Sequence, residues 1–203
     1  MSLVRPSNTR WGSHLKTLLR IYQMWEAVIE VLEIVTQDAS QTSNHGEASG
    51  LIQKMESFEF VFILHFMIDL LGVTNELSLA LQRSDQDIIE AMGLLVDVKV
   101  RLQDMRDNGW TPLFERVKSF CEANAIQVPD MEELIPIRGK SARRKHTVTH
   151  FHYYHVEIFI AAIDAITFEM NHRFNEVSSE LLVCMSCLDP RNSFSKFDVD
   201  KLV

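Results

Sequence analysis

Phe58-Glu59-Phe60-Val61-Phe62-Ile63-Leu64-His65-Phe66-Met67-Ile68-Asp69-Leu70-Leu71 is the most apolar run of the chain, and its assignment decides the fold. A transmembrane helix needs about 20 consecutive, predominantly apolar residues. This run is shorter, and Glu59, His65 and Asp69 interrupt it. It therefore reads as the buried helix of a helical core, with no membrane role. Traced outward, the helix starts near Gly50 and ends at Leu71. Gly72 suits a C-terminal cap there, and Thr74 a fresh start.

Upstream, Ser13 can cap a helix whose apolar positions are Leu15, Leu18, Leu19, Tyr22, Trp25, Val28, Ile29, Leu32 and Val35, spaced three and four apart. Asp38 to Ser49 is rich in Ser, Asn, Gln and Gly and reads as a loop. Downstream, Asn75 to Gln82 suits a short helix. Ser84-x-x-Asp87 resembles a capping box before a helix that carries Ile88, Met92, Leu95, Val98 and Leu102. Asn108-Gly109 stops that helix. Thr111-Pro112 then supplies an N-cap followed by Pro at the first helical position. Leu113, Val117, Phe120 and Cys121 give the next helix one apolar side, Val128-Pro129-Asp130 breaks it, and Met131 to Leu134 suits a single turn.

Between Pro136 and Thr147 the character changes. Arg138, Lys140, Arg143, Arg144 and Lys145 lie together with no acid among them. A solvated linker is the plainer assignment; phosphate contact or nuclear import is the alternative. A very long helix then runs from about Thr149 towards Cys187, with Phe151, Tyr154, Ile158, Ala161, Ala165 and Phe168 on one face, and Asp189-Pro190 ends it. The expectation is an all-α helical bundle of six or seven helices with no confident strand. Its organisation is a helical subdomain over 15–134, a basic linker over 135–148, a long helix of the same domain over 149–190, and a connector over 191–203.

Composition narrows the function classes. The chain has 203 residues, 46% of them apolar, with seven Gly and five Pro, which suits a globular core of long helices. A net charge of −8 makes the whole chain a poor electrostatic partner for DNA, so any such contact needs a local patch. Three cysteines make no disulfide framework and suit a reducing compartment. No secretory signal is evident. No Gly-rich phosphate loop, nucleophile elbow or Ser/His/Asp arrangement is present, and no small-molecule substrate is evident. His146, His150, His152 and His155 do not complete a four-ligand zinc pattern, and Cys184-x-x-Cys187 lacks a second pair.

Arg5-Pro6-x-x-Thr9-Arg10-Trp11-Gly12-Ser13-His14 resembles the Thr-Arg-Trp segment of hAT-superfamily DNA transposases, and in particular the plant transposase-derived group called zinc-finger MYM-type-like. Further segments carry the likeness across nearly the whole chain. They include Asp85-Gln86-Asp87-Ile88, Asp107-Asn108-Gly109-Trp110, Tyr153-Tyr154-His155-Val156-Glu157, Arg173-Phe174-Asn175-Glu176 and Leu188-Asp189-Pro190-Arg191-Asn192-Ser193-Phe194. Ser7-Asn8 departs from the Gly-Asp that often precedes Thr-Arg-Trp.

The resemblance implies the helical insertion domain of an RNase H-like transposase, with residues 1–14 as the edge of the catalytic domain. It implies nuclear localisation and an ancestral role in DNA binding and transposon-end processing. Trp11 would stack on an unstacked base with Arg10 beside it, or else would pack over the first helix. The family binds Mg or Mn through two Asp and one Glu. The resemblance places none of these within the chain, so it transfers no metal ligand, cofactor or catalytic residue. The DNA-contact candidates are Arg10, Trp11, Arg138, Lys140, Arg143, Arg144 and Lys145. The alternative function is a helical protein-interaction or dimerisation module, suggested by the apolar length of the last helix.

Overall fold

A computed structural model describes residues 11–37, 42–82, 88–135, 148–174 and 184. The described residues are all-α apart from one isolated β-bridge, Leu134 to Thr149. The helices are α1 (Trp11–Gln23), α2 (Trp25–Gln37), α3 (Thr42–Met55), α4 (Phe58–Leu81), α5 (Ile88–Asn108), α6 (Trp110–Ala123), a π-helix (His152–Ile160) and α7 (Ala161–Arg173).

The apolar run is the N-terminal part of α4, the hub of the bundle. Phe58, Val61, Phe62, Leu64, Phe66, Leu70, Leu71, Val73, Leu77 and Ala80 are all buried along it. Burial on so many sides of one helix requires neighbours all round, and α1, α5 and α6 pack against it. Phe58, Phe62 and Phe66 form an i, i+4 ladder of stacked rings. Tyr154 meets Phe58 and Phe62 with ring centroids 5.0 and 5.1 Å away, and Phe159 meets Phe66 at 5.1 Å. Trp110 closes the cluster against Phe62, Phe114 and Phe159.

Several expected boundaries move. No single helix spans Gly50 to Leu71, because Ser57 starts α4. Its backbone is extended, its hydroxyl accepts from the Phe60 N–H at 3.3 Å, and it donates to the Lys54 carbonyl at 2.6 Å. Gly72 and Thr74 lie inside α4. The Thr74 hydroxyl donates back to the Leu70 and Leu71 carbonyls, so neither residue ends or starts a helix. At 24 residues, α4 is long and apolar enough to cross a bilayer, so run length no longer excludes a span. Its packing inside the bundle now carries the core assignment. Residues 42–49, expected in a loop, belong to α3. Ser13 is the third residue of α1 and no cap; its carbonyl accepts from the Thr17 hydroxyl at 2.9 Å. Gly109, not Thr111, precedes α6. Ser84-x-x-Asp87 lies outside the described residues.

The C-terminal helix departs most from a 3.6-residue pattern. In its π-segment the Ala161 N–H reaches the Val156 carbonyl, five residues back, which shifts the phase of everything beyond. The buried positions become Tyr154, Phe159, Ile163 and Met170, while Phe168, expected on the apolar face, is 67% exposed. The described helix also stops early: Phe174 leaves helical geometry after Arg173.

Candidate functional site

Helices α1 and α6 both pack on α4 and hardly on each other. Two helices laid side by side on a third leave a groove, and here it is a cleft of about 620 Å³. Leu19 and Tyr22 of α1 form one wall; Glu115, Arg116, Ser119 and Phe120 of α6 form the other. The floor is His65, Ile68 and Asp69 of α4. His65 and Asp69 are two of the three polar residues that interrupt the apolar run, and their i, i+4 spacing puts both on this face.

His65 is 7% exposed, the one buried polar residue among the described side chains. Its Nδ1 lies 2.8 Å from the Val61 carbonyl oxygen. A carbonyl only accepts, so Nδ1 carries the proton and Nε2 of the neutral ring keeps its lone pair. Burial holds the imidazole below its ordinary pKa, which keeps it neutral at pH 7; the Val61 hydrogen bond opposes this in part. Tyr22 meets the His65 ring edge-on at 5.2 Å, and Phe120 meets it at 5.0 Å.

Asp69 is the second polar residue of the floor, where its Oδ2 accepts from Arg116 Nη2. Burial raises its pKa, and the Arg116 guanidinium pulls it back towards the ordinary range. Glu59, the third interruption, accepts at 3.1 Å from the Tyr153 hydroxyl. The cleft thus combines a neutral imidazole, an ion pair, a second carboxylate and two aromatic rings. Only the interruption of an apolar run by His and Asp foreshadows it; Tyr22 and Arg116 carry no local signal.

The expected DNA-contact residues are distributed differently. Arg10, Arg138, Lys140, Arg143, Arg144 and Lys145 lie outside the described residues, as does His146. Trp11 opens α1, and its side chain is not among those described. The ends of the basic segment are placed, however. The Ile135 N–H donates to the Val148 carbonyl at 2.9 Å, the His150 N–H to Glu133 at 3.0 Å, and the Phe151 N–H to Met131 at 2.9 Å. The histidines beyond it do not converge. His150 stacks beside Tyr154, His152 approaches Glu157 at 3.7 Å, and His155 packs 4.7 Å from Trp110. Among the described residues no three His, Cys, Asp or Glu side chains could hold a metal ion together.

Asp164 is half exposed and receives a two-pronged bond from Arg106, at 2.6 and 3.1 Å, that ties α7 to α5. No known family model matches the chain, and no solved structure matches it significantly.

Proposed function

We propose that this chain is a nuclear, helical DNA-binding module of a hAT transposase-derived protein, and that it binds without cutting. The observation that carries the proposal is the root of the basic segment. Residues 135 and 148 are hydrogen bonded, so the chain between them leaves and returns at one point. Arg138, Lys140, Arg143, Arg144 and Lys145 stand in the sequence between these two ends.

Five cations fall within eight consecutive positions, while the rest of the chain carries 15 basic and 28 acidic residues. The net acidity of the remainder makes this basic segment the part of the sequence best suited to meet phosphate. The ordered likeness of the segments quoted above supports the transposase-derived lineage. That likeness brings no metal-binding acid with it, hence binding without strand cleavage.

Fluorescence anisotropy with a labelled duplex across a salt series tests the proposal. Up to five phosphate contacts give a log–log salt slope no steeper than about −4.5. Replacing the five cations with Gln should abolish binding, and unchanged binding would refute the assignment. Incubation with hairpin or nicked DNA and Mg²⁺ or Mn²⁺ should leave the DNA intact; cleavage by pure protein overturns the non-catalytic part.

A specific observation favours a second reading, a protein-interaction or self-association module. Val96 and Val100, one turn apart on α5, are 61% and 63% exposed, and Phe168 projects from α7. Light scattering separates the two, since a strict monomer at high concentration argues against self-association.

A further inference from the structure

We infer that the cleft between α1, α4 and α6 binds a small organic amine. Its volume, about 620 Å³, falls within the range of small-molecule sites. The ligand class follows from which hydrogen-bonding groups remain available. The His65 N–H is already given to Val61, so Nε2 can only accept, and it accepts no hydrogen bond among the described residues. The imidazole is more than nine-tenths buried and lines the cleft.

Asp69 receives Arg116 on Oδ2 and keeps acceptor capacity on Oδ1. Glu115 lines the cleft and takes no ion pair among the described residues. The one cation of the lining, Arg116, is held on Asp69, which leaves two carboxylates against one guanidinium. Tyr22 and Phe120 lie 5.5 Å apart and both pack on His65, which fixes the imidazole at the cleft.

A primary ammonium carries N–H donors only; His65 and Asp69, one turn apart on the floor, offer it acceptors, and the Glu115 carboxylate on the wall adds negative charge. The apolar part of such a ligand would lie along Leu19 and Ile68. The raised pKa of Asp69 agrees with this, since an incoming cation would relieve the cost of its buried charge.

The test uses the full ¹⁵N-labelled chain at neutral pH, titrated with benzylamine, benzyl alcohol and benzoate while amide shifts are followed. Benzylamine should give saturable shifts centred on Asp69, Ser119 and Phe120, and should bind about tenfold more tightly than benzyl alcohol. Asp69→Asn should weaken benzylamine about tenfold and Glu115→Gln about threefold. The second variant changes an exposed wall residue and keeps the test decisive if the first does not fold. Benzoate binding as tightly as benzylamine would reassign the cleft to anions through Arg116 and overturn the inference. Shifts that do not saturate, or that map away from α1, α4 and α6, would overturn it as well.

Discussion

Gly109 separates α5 from α6, and replacing it with Ala should cost stability for a purely steric reason. Its φ is −79°, a value any residue adopts, so no conformational penalty arises. An added Cβ would lie 2.4 Å from the Met105 carbonyl oxygen and 3.1 Å from both Met105 C and Cα. All three are backbone atoms of the last turn of α5, so no side chain can rotate away. Restoring contact distance demands a backbone shift of more than half an ångström between Met105 and Trp110, and Trp110 is packed into the central aromatic cluster. Forced overpacking of this kind costs about 1–3 kcal/mol. A loss of about 2 kcal/mol corresponds to a Tm lower by roughly 4–8 °C in a chain of this size. Gly72 and Gly93, within α4 and α5, have no atom within 4 Å of a built Cβ. Ala at either should instead gain about 0.5–1 kcal/mol from helix propensity. Urea unfolding of the three variants gives the signs directly. Gly109→Ala as stable as wild type, or Gly72→Ala less stable, would refute the geometry.

Ala125 takes φ 56° just after α6, where the Ile126 N–H caps the Cys121 carbonyl at 2.8 Å. Ala125→Gly should therefore stabilise by about 1 kcal/mol, read from the urea midpoint. The Cys121 thiol is fully buried, and burial pushes its pKa up to about 11. Iodoacetamide should leave it unmodified in the folded protein and alkylate it once urea unfolds the chain; rapid native labelling would contradict the packing. Because the folded-state pKa of His65 is depressed, its contribution to stability is present above about pH 6.5 and is lost as pH falls from there through the folded value. His65→Gln should flatten the stability profile below pH 6.5, leaving the share of His155, whose pKa burial also lowers. An unchanged profile would show that His65 is not buried as a neutral ring.

Legibility in the sequence followed the range of the signal. The all-α class, the core role of Phe58 to Leu71 and the stop at Asn108-Gly109 rest on contacts within a few residues, and they are present as expected. The start at Ser57 was missed because a single hydroxyl makes the cap without the usual Glu three residues on; Phe60 stands there. Gly72 misled because helix-breaking propensity is weak against burial on a central helix. The phase of the last helix was not legible because a π-segment arises from packing and leaves no periodic mark of its own. Arg116 and Tyr22 were invisible as site residues for a related reason. Each sits on an ordinary amphipathic helix, and only the crossing of three helices brings them to His65 and Asp69.

The polar interruptions of α4 tie the fold to the site. A polar side chain on a buried helix face costs free energy unless it finds a partner. His65, the buried one of the three, takes the Val61 carbonyl; the partly exposed Asp69 takes Arg116 and the exposed Glu59 takes Tyr153. Partnering makes them tolerable, but it does not make them the most stable choice. The Asp69–Arg116 pair is partly exposed, and solvent-screened pairs of that kind contribute little to stability. Stability alone therefore does not account for a His and an Asp one turn apart in the run Phe58 to Leu71, which only Glu59 otherwise interrupts. Both lie where α1 and α6 part, and there the same two residues form the floor of an open, acceptor-rich cleft. Occupancy of that cleft by a donor-rich ligand supplies the account that packing does not.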